Sequence, residues 1–321
     1  MGLNKVDRKI LYELDVNARQ PLNSIAKKLR INKDTLKYRI KRMEEEKIIL
    51  GYQAFVNHGK LGFFGTRFNL KLQNTTPEIE EDIIKTIKEN PKVGFFVSVE
   101  GSVDYSIWVV TKSIQELNEF WQNLQEKFQL YLQEVKIGIY TKIDHYPRTS
   151  LIDKKNNTIS FPFYTIDSPE KIENVELKLL KLISRNARLS IIELARQLNI
   201  TPKTAASKIK NLEKRGIISG YSIILNVEKL GYQYYKLHID LQNTTPQLLR
   251  KWNQFLLMHP YVAYRDYVIG GNSTEIEIQL PGEKELREFI DEMKREFSPI
   301  IRQHEVLYFY KEHKLLSMPW A

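Results

Sequence analysis

Asn32-Lys33-Asp34-Thr35-Leu36-Lys37-Tyr38-Arg39-Ile40-Lys41-Arg42-Met43-Glu44-Glu45-Glu46 reads as a helix with two unlike faces. Asn32 suits the N-cap, because its side-chain oxygen can accept from a first-turn amide that has no partner in the helix. At about 100° per residue, Leu36, Ile40 and Met43 fall on one side. Asp34, Thr35, Lys37, Tyr38, Lys41 and Arg42 fall on the other, with Arg39 on the flank. Working backwards, Arg30-Ile31-Asn32 is a short turn, and Leu22, Ile25, Ala26 and Leu29 mark a second helix. The stretch Asn17-Ala18-Arg19-Gln20-Pro21 interrupts, and Val6, Ile10, Leu11 and Leu14 mark a first. Three short helices with a tight turn before the third are the pattern of a helix-turn-helix, whose third helix reads DNA.

The pattern returns 169 residues later. Asn186-Ala187-Arg188 repeats Asn17-Ala18-Arg19, and Gln242-Asn243-Thr244-Thr245-Pro246 repeats Gln73-Asn74-Thr75-Thr76-Pro77. Without a gap, 26 of 71 positions are identical between 7–77 and 176–246, so the chain is a duplication. Thr201-Pro202 starts the second copy of the third helix, a capping hydroxyl followed by proline at the first helical position. Its inner face carries Ala205, Ile209 and Leu212. Its outer face carries Lys203, Thr204, Ala206, Ser207, Lys210, Asn211 and Lys214, with Lys208 on the flank. Between the copies, residues 146–171 contain Pro147, Pro162, Pro169 and the polar run Asp153-Lys154-Lys155-Asn156-Asn157, which read as a linker.

After each third helix the period changes. Residues 48–57 and 217–226 have β propensity and read as a wing or a connecting strand. Phe68, Leu70 and Leu72 then alternate with Arg67, Asn69 and Lys71, a strand pattern. A helix from Pro77, a hairpin over 93–111 turning at Gly101-Ser102, a helix over 115–128 and a strand over 134–143 follow. Repeat two gives the same order at 233–242, 247–258, 262–269, 273–280, 283–297 and 303–312. The order βαββαβ is the ferredoxin-like arrangement. The expected fold is therefore α+β: two repeats, each a helix-turn-helix (winged-helix-like) domain followed by a ferredoxin-like βαββαβ domain. The expected boundaries are 1–60, 61–145, a linker at 146–171, 172–229 and 230–321.

Charge is distributed along this plan. The chain of 321 residues carries a net +10, yet residues 1–50 and 170–220 each hold +6 and all the rest −2. A charge serving general solubility would be spread. The excess sits on the helical modules, where long cations and small hydroxyls suit phosphates and base edges. From helix phase and charge, Lys33, Lys37, Lys41, Arg42, Lys203, Lys208 and Lys210 are expected to contact phosphates. Thr35, Tyr38, Arg39, Thr204 and Ser207 are expected to read bases. Other chemistries find no support. Cysteine is absent, which excludes disulfides and thiolate sites. No apolar run approaches the length of a membrane span, and residues 1–15 lack the apolar core of a secretory signal. The six histidines show no zinc-ligand spacing, and the glycines of 59–65 match no phosphate-binding loop. The expectation is a cytoplasmic, nucleoid-associated protein that is not an enzyme and needs no cofactor or metal.

A helix-turn-helix followed by a ferredoxin-like module resembles the Lrp/AsnC family of transcription regulators. The likeness is carried by 7–11, 17–19, 25–29, 38–44, 48–52 and Gly101-Ser102-Val103-Asp104-Tyr105, with good counterparts in repeat two as far as Leu230-Gly231. It implies binding of double-stranded DNA, self-association through the ferredoxin-like domains and an amino-acid or other small effector. In a fused chain the self-association is either an intramolecular pseudo-dimer or a homo-oligomer. A linker of about 25 residues reaches on the order of 80 Å, more than the roughly 34–36 Å between adjacent half-sites. The two third helices differ (Lys37-Tyr38 against Ala206-Ser207), so an imperfect palindrome is expected. The resemblance places Gly101 and Asp104 near an effector pocket. Their own chemistry also suits a tight hairpin turn closed by an aspartate. Siroheme decarboxylases resemble the same architecture, so an enzyme of that kind is one alternative. A small-molecule sensor without DNA binding is another.

Overall fold

The computed structural model describes residues 3–152, 161–316 and 318; the polar run at 153–157 lies outside them. Repeat one runs α1 (Lys5–Val16), α2 (Leu22–Leu29), α3 (Lys33–Glu45), β1 (Ile49–Val56), β2 (Phe64–Leu72), α4 (Pro77–Glu89), β3 (Val93–Glu100), β4 (Tyr105–Thr111), α5 (Ile114–Phe128) and β5 (Leu132–His145). A short β6 (Phe161–Thr165) follows. Repeat two runs α6 (Asn174–Arg185), α7 (Ile191–Leu198), α8 (Pro202–Lys214), β7 (Ile218–Leu225), β8 (Gln233–Leu241), α9 (Pro246–Met258), β9 (Val262–Ile269), β10 (Thr274–Leu280), α10 (Glu283–Phe297) and β11 (Ile301–Leu315).

Local chemistry sets the helix ends. Asn4 Oδ1 accepts from the amides of Val6 and Asp7 at 2.9 and 3.0 Å, while the Asp7 carboxylate accepts from the Asn4 amide at 3.2 Å. This reciprocal box starts α1. Arg30 stops α2 by turning left-handed at φ 54°, as Asn199 stops α7 at φ 53°. Asn32 and Thr201 then cap α3 and α8 through the amides of Asp34 (2.7 Å) and Thr204 (3.1 Å).

The segments expected as a wing or a connecting strand are strands that pair with each other. β1 and β7 form a two-stranded antiparallel ribbon across the repeats. Each strand is apolar on both faces, and a solitary wing would leave one of them wet. Ala54 and Val56 face the helices, whereas Gln53 and Phe55 face the sheet below. One hydrophobic core runs through both helical modules, from Ile10, Leu11 and Leu14 to Leu179, Leu180 and Ile183. The first helices cross over: α1 lies on β7 and α6 on β1.

The repeated Asn-Ala-Arg is the joint. The Ala18 amide donates to the Tyr221 carbonyl at 3.2 Å and the Ala187 amide to that of Tyr52 at 2.9 Å. Arg19 donates to the carbonyls of Ala187 and Leu189, and Arg188 to that of Ala18 at 2.7 Å. Each guanidinium also lies over the other repeat's tyrosine, Arg19 over Tyr221 and Arg188 over Tyr52.

The two ferredoxin-like sheets join edge to edge. Eight of the nine strands close a ring, β2-β4-β3-β11-β8-β10-β9-β5 and back to β2. β5 pairs with β2 through its first half and with β9 through its second. β11 does the same with β8 and β3. Helices α4, α5, α9 and α10 cover the outside of the barrel over two separate cores. The linker expected at 146–171 is in part structural: β6 pairs with β5. The Glu170 amide donates to the Lys60 carbonyl at 2.8 Å, and the Arg148 guanidinium holds Asp15 of α1 at 2.6 Å.

The inside of the barrel corrects a simple reading of the strand pattern. Arg67 and Asn69, opposite the apolar face of β2, are not solvated; they are buried at 3% and 2% exposure. Arg67 pairs with Glu275 across the repeats. Lys236 pairs with Asp266 and lies 3.5 Å from Glu275 and 3.6 Å from Glu277. Burial alone would lower the Lys236 ammonium, but Asp266 and its other anionic neighbours raise it well above the ordinary range.

Candidate nucleic-acid interface

The third helix of each module presents its inner face to the shared core, burying Leu36, Ile40 and Met43 in α3 and Ala205, Ile209 and Leu212 in α8. The opposite faces are open. Lys33, Thr35, Lys37 and Lys41 are exposed on α3, and Tyr38 stands 68% exposed, unusual for so large a ring. On α8 the exposed members are Lys203, Ser207 and Lys210. The pairs Lys37–Asp34 (3.6 Å) and Lys41–Glu45 (3.7 Å) are solvent-exposed, and such pairs exchange readily for a phosphate.

Four expected contact residues are turned inward. Arg39 and Arg42 donate to the two carboxylate oxygens of Asp7 at 2.9 and 2.8 Å, and Asp7 is fully buried. Burial alone would raise the Asp7 carboxyl, but Arg39, the Asn4 amide and Arg42 hold it below its ordinary value. These arginines therefore fasten α3 to the start of α1, and only their flanks remain open. In repeat two the aligned acid is Glu176, and Arg215 approaches it at 3.4 Å while binding Glu170 at 2.7 Å. Lys208 pairs with Glu173 at 2.9 Å, and the Thr204 hydroxyl lies 2.8 Å from that of Thr201. The outward set thus narrows to Lys33, Thr35, Lys37, Tyr38, Lys41, Lys203, Ser207 and Lys210.

Gly101 and Asp104 are both engaged within the fold. Asp104 accepts from Lys71 Nζ at 2.8 Å and from the Leu72 amide at 2.7 Å, tying the hairpin to β2. Gly101 has φ +149°, and a Cβ there would stand 2.8 Å from the Leu307 side chain where the two sheets join. They border a shallow recess with Lys71, Glu100 and Tyr310. In repeat two the acid has changed strand: Asp240, aligned with Lys71, accepts from the Ser273 amide at 3.3 Å. No helix among the described residues is long and apolar enough to cross a membrane. No group of three or more metal-ligating side chains occurs among them either.

Two exposed cationic reading helices on one core define a protein of the winged helix-turn-helix class, and the comparisons agree. The model of the winged helix-turn-helix DNA-binding family matches residues 3–49 and 172–219. The proline dehydrogenase transcriptional activator of Rhodobacter capsulatus is 31% identical over 115 residues, 36% of this chain and 75% of that protein. An HTH-type transcriptional regulator of Pyrococcus furiosus is 42% identical over 74 residues, 23% of this chain; the match spans only 50% of that regulator's length. The chain belongs to the Lrp/AsnC family of transcription regulators, in a tandem form. The crystal structure of the siroheme decarboxylase NirDL superposes with a TM-score of 0.62, covering 98% of this chain and 96% of that one. At 13% identity this likeness shows a shared fold alone.

Proposed function

We propose that this protein is a sequence-specific regulator of transcription that binds double-stranded DNA with two unequal readers carried by one molecule. The observation that carries the reading is the pair of open, cationic faces on α3 and α8, held together by the β1–β7 ribbon and the Asn-Ala-Arg joint. Lys33, Lys37, Lys41, Lys203 and Lys210 neutralise phosphates, while Thr35, Tyr38 and Ser207 reach base edges. Arg39, Arg42, Thr204 and Lys208 fix the helices in place and contribute at the flank. The closed barrel uses up the sheet edges through which separate ferredoxin-like domains would pair, so the working unit is the intramolecular pseudo-dimer. We read the chain as a regulator of the nucleoid rather than an enzyme, with a small molecule as effector.

Selection from random duplexes across a salt series tests this. Five phosphate contacts predict that log K falls against log salt with a slope of about −4.5. An enriched site with two unlike halves one helical turn apart is expected. Salt-dependent binding without an enriched motif would make the protein an architectural binder. Absence of binding at low salt would refute the regulator reading, and titration with a tetrapyrrole would then test the decarboxylase-like alternative.

A further inference from the structure

Between the ribbon and the lower mouth of the barrel lies a cavity of about 110 Å³. Its roof is Phe55 of β1 with Ile224 of β7, and its walls are rings: Phe95, Trp108, Tyr140, Phe163, Tyr234 and Tyr264. The charged groups that line it are almost all matched inside the protein. Asp266 is paired with Lys236, Arg148 with Asp15, and Glu277 accepts from the Tyr234 hydroxyl. Glu312 of β11 is the exception: its carboxylate makes no hydrogen bond or ion pair with any described residue, and the residue lines the cavity while remaining exposed to solvent. Partial desolvation by the cavity walls raises its carboxyl.

We propose that this cavity binds a small organic cation, a short-chain alkylammonium compound, with its apolar body among the rings and its ammonium on Glu312. Aromatic faces attract cations, and the free carboxylate supplies the counter-charge. The size limit follows from volume. An apolar cavity of roughly 150 Å³ takes one benzene, so this one holds a body of about four or five heavy atoms before its mouth widens. A tetrapyrrole is far too large. A carboxylate on the ligand is disfavoured, because Glu277 and Asp266 already face the space. The cavity's roof continues directly from both reading helices, α3 into β1 and α8 into β7. Filling it therefore biases the ribbon that sets how the two readers sit, so the ligand is also an effector; that second step rests on the DNA-binding reading, whereas the binding step does not.

The test uses the full chain with n-butylammonium as probe, at constant ionic strength. Calorimetry is expected to show saturable one-to-one binding, weakened at least tenfold in Glu312→Gln. Neutral n-butanol and the zwitterion 4-aminobutyrate are expected to bind at least tenfold more weakly. Glu312 has no partner to lose, so the variant should keep the wild-type melting temperature, which is checked alongside. No saturable binding up to about 50 mM, or equal binding by Glu312→Gln or by butanol, overturns the site. Saturating butylammonium is further expected to change DNA affinity at least threefold in the wild type and not in Glu312→Gln. Binding without that change overturns the effector role and leaves the site standing. Failure of the protein to bind DNA at all is read separately, without the probe.

Discussion

Glu275 offers the sharpest test of how the two repeats are held together. It is fully buried between Arg67 of repeat one and Lys236 of repeat two. Glu275→Gln keeps the shape and removes the charge, leaving two buried cations short of one carboxylate. Breaking a buried ion pair from one side costs about 3–5 kcal/mol. Titration gives the same scale. Burial by itself would raise the Glu275 carboxyl, but Lys236, Arg67 and His238 overcome it and hold it at about 2, against an ordinary 4.5. At about 1.4 kcal/mol per pH unit, that gap amounts to about 3 kcal/mol. The folded-state value lies below the unfolded one, so the stabilisation is complete above about pH 5 and fades as pH falls from about 4.5 through 2. Urea unfolding of both proteins at pH 7, 5, 4 and 3, followed by tryptophan fluorescence, measures it. The variant should be about 3 kcal/mol less stable at pH 7, with the difference shrinking below pH 4.5. A loss under about 1 kcal/mol at pH 7, or a difference indifferent to pH, would show that the pair is not what joins the sheets.

Three further outcomes are expected. Lys41→Ala and Lys210→Ala should each weaken DNA binding uniformly across sequences and flatten the salt slope by about 1, read by fluorescence anisotropy; unchanged slopes would remove these lysines from the interface. Asp7→Asn should release Arg39 and Arg42 and lower stability by about 1–3 kcal/mol in a denaturant titration, while its DNA-binding salt slope becomes steeper; a flatter slope would mean that the arginines already bind phosphate through Asp7's support. Gly101→Ala should cost about 1–3 kcal/mol from its backbone angle and its approach to Leu307, and a thermal melt unchanged within a degree would contradict the packing at the joint between the sheets.

The helices and strands of each repeat were legible because each writes its own period in one short stretch. Leu36, Ile40 and Met43 announce a buried face whether or not a second repeat exists, and so do Phe68, Leu70 and Leu72. What local periodicity leaves open is what covers the other face. Arg67 and Asn69 look solvated in isolation; they are buried because the other repeat's sheet closes over them, a contact 208 residues away for Arg67 and Glu275. The ends of β5 and β11 extend beyond the strands expected from pattern for the same reason, since each end pairs with a strand of the other repeat. The open faces of α3 and α8 were visible in the helical wheel, but the inward pull of Asp7 on Arg39 and Arg42 was not, because nothing in the wheel shows an acid on α1. One signal was there to be used: Asn-Ala-Arg recurs unchanged where its neighbours diverge, and its arginines make the inter-repeat joint.

The barrel interior also explains why a duplicated chain has stayed in one piece. Positions related by the 169-residue offset carry different chemistry: Val97, Ser106 and Trp108 in repeat one correspond to Asp266, Glu275 and Glu277 in repeat two, while Arg67 corresponds to Lys236. Two copies of repeat one would bring two buried guanidinium groups together with none of these carboxylates. Two copies of repeat two would gather six carboxylates around two lysines. Only the mixed pair comes close to balance, because Arg67 and Lys236 share the three acids with His238 alongside. Leaving a buried charge without its partner costs about 3–5 kcal/mol, so the repeats are not interchangeable. A homodimer must present the same reading helix twice. A chain whose halves can pair only with each other is free of that constraint, and Lys37-Tyr38 on α3 against Ala206-Ser207 on α8 is the divergence this freedom permits.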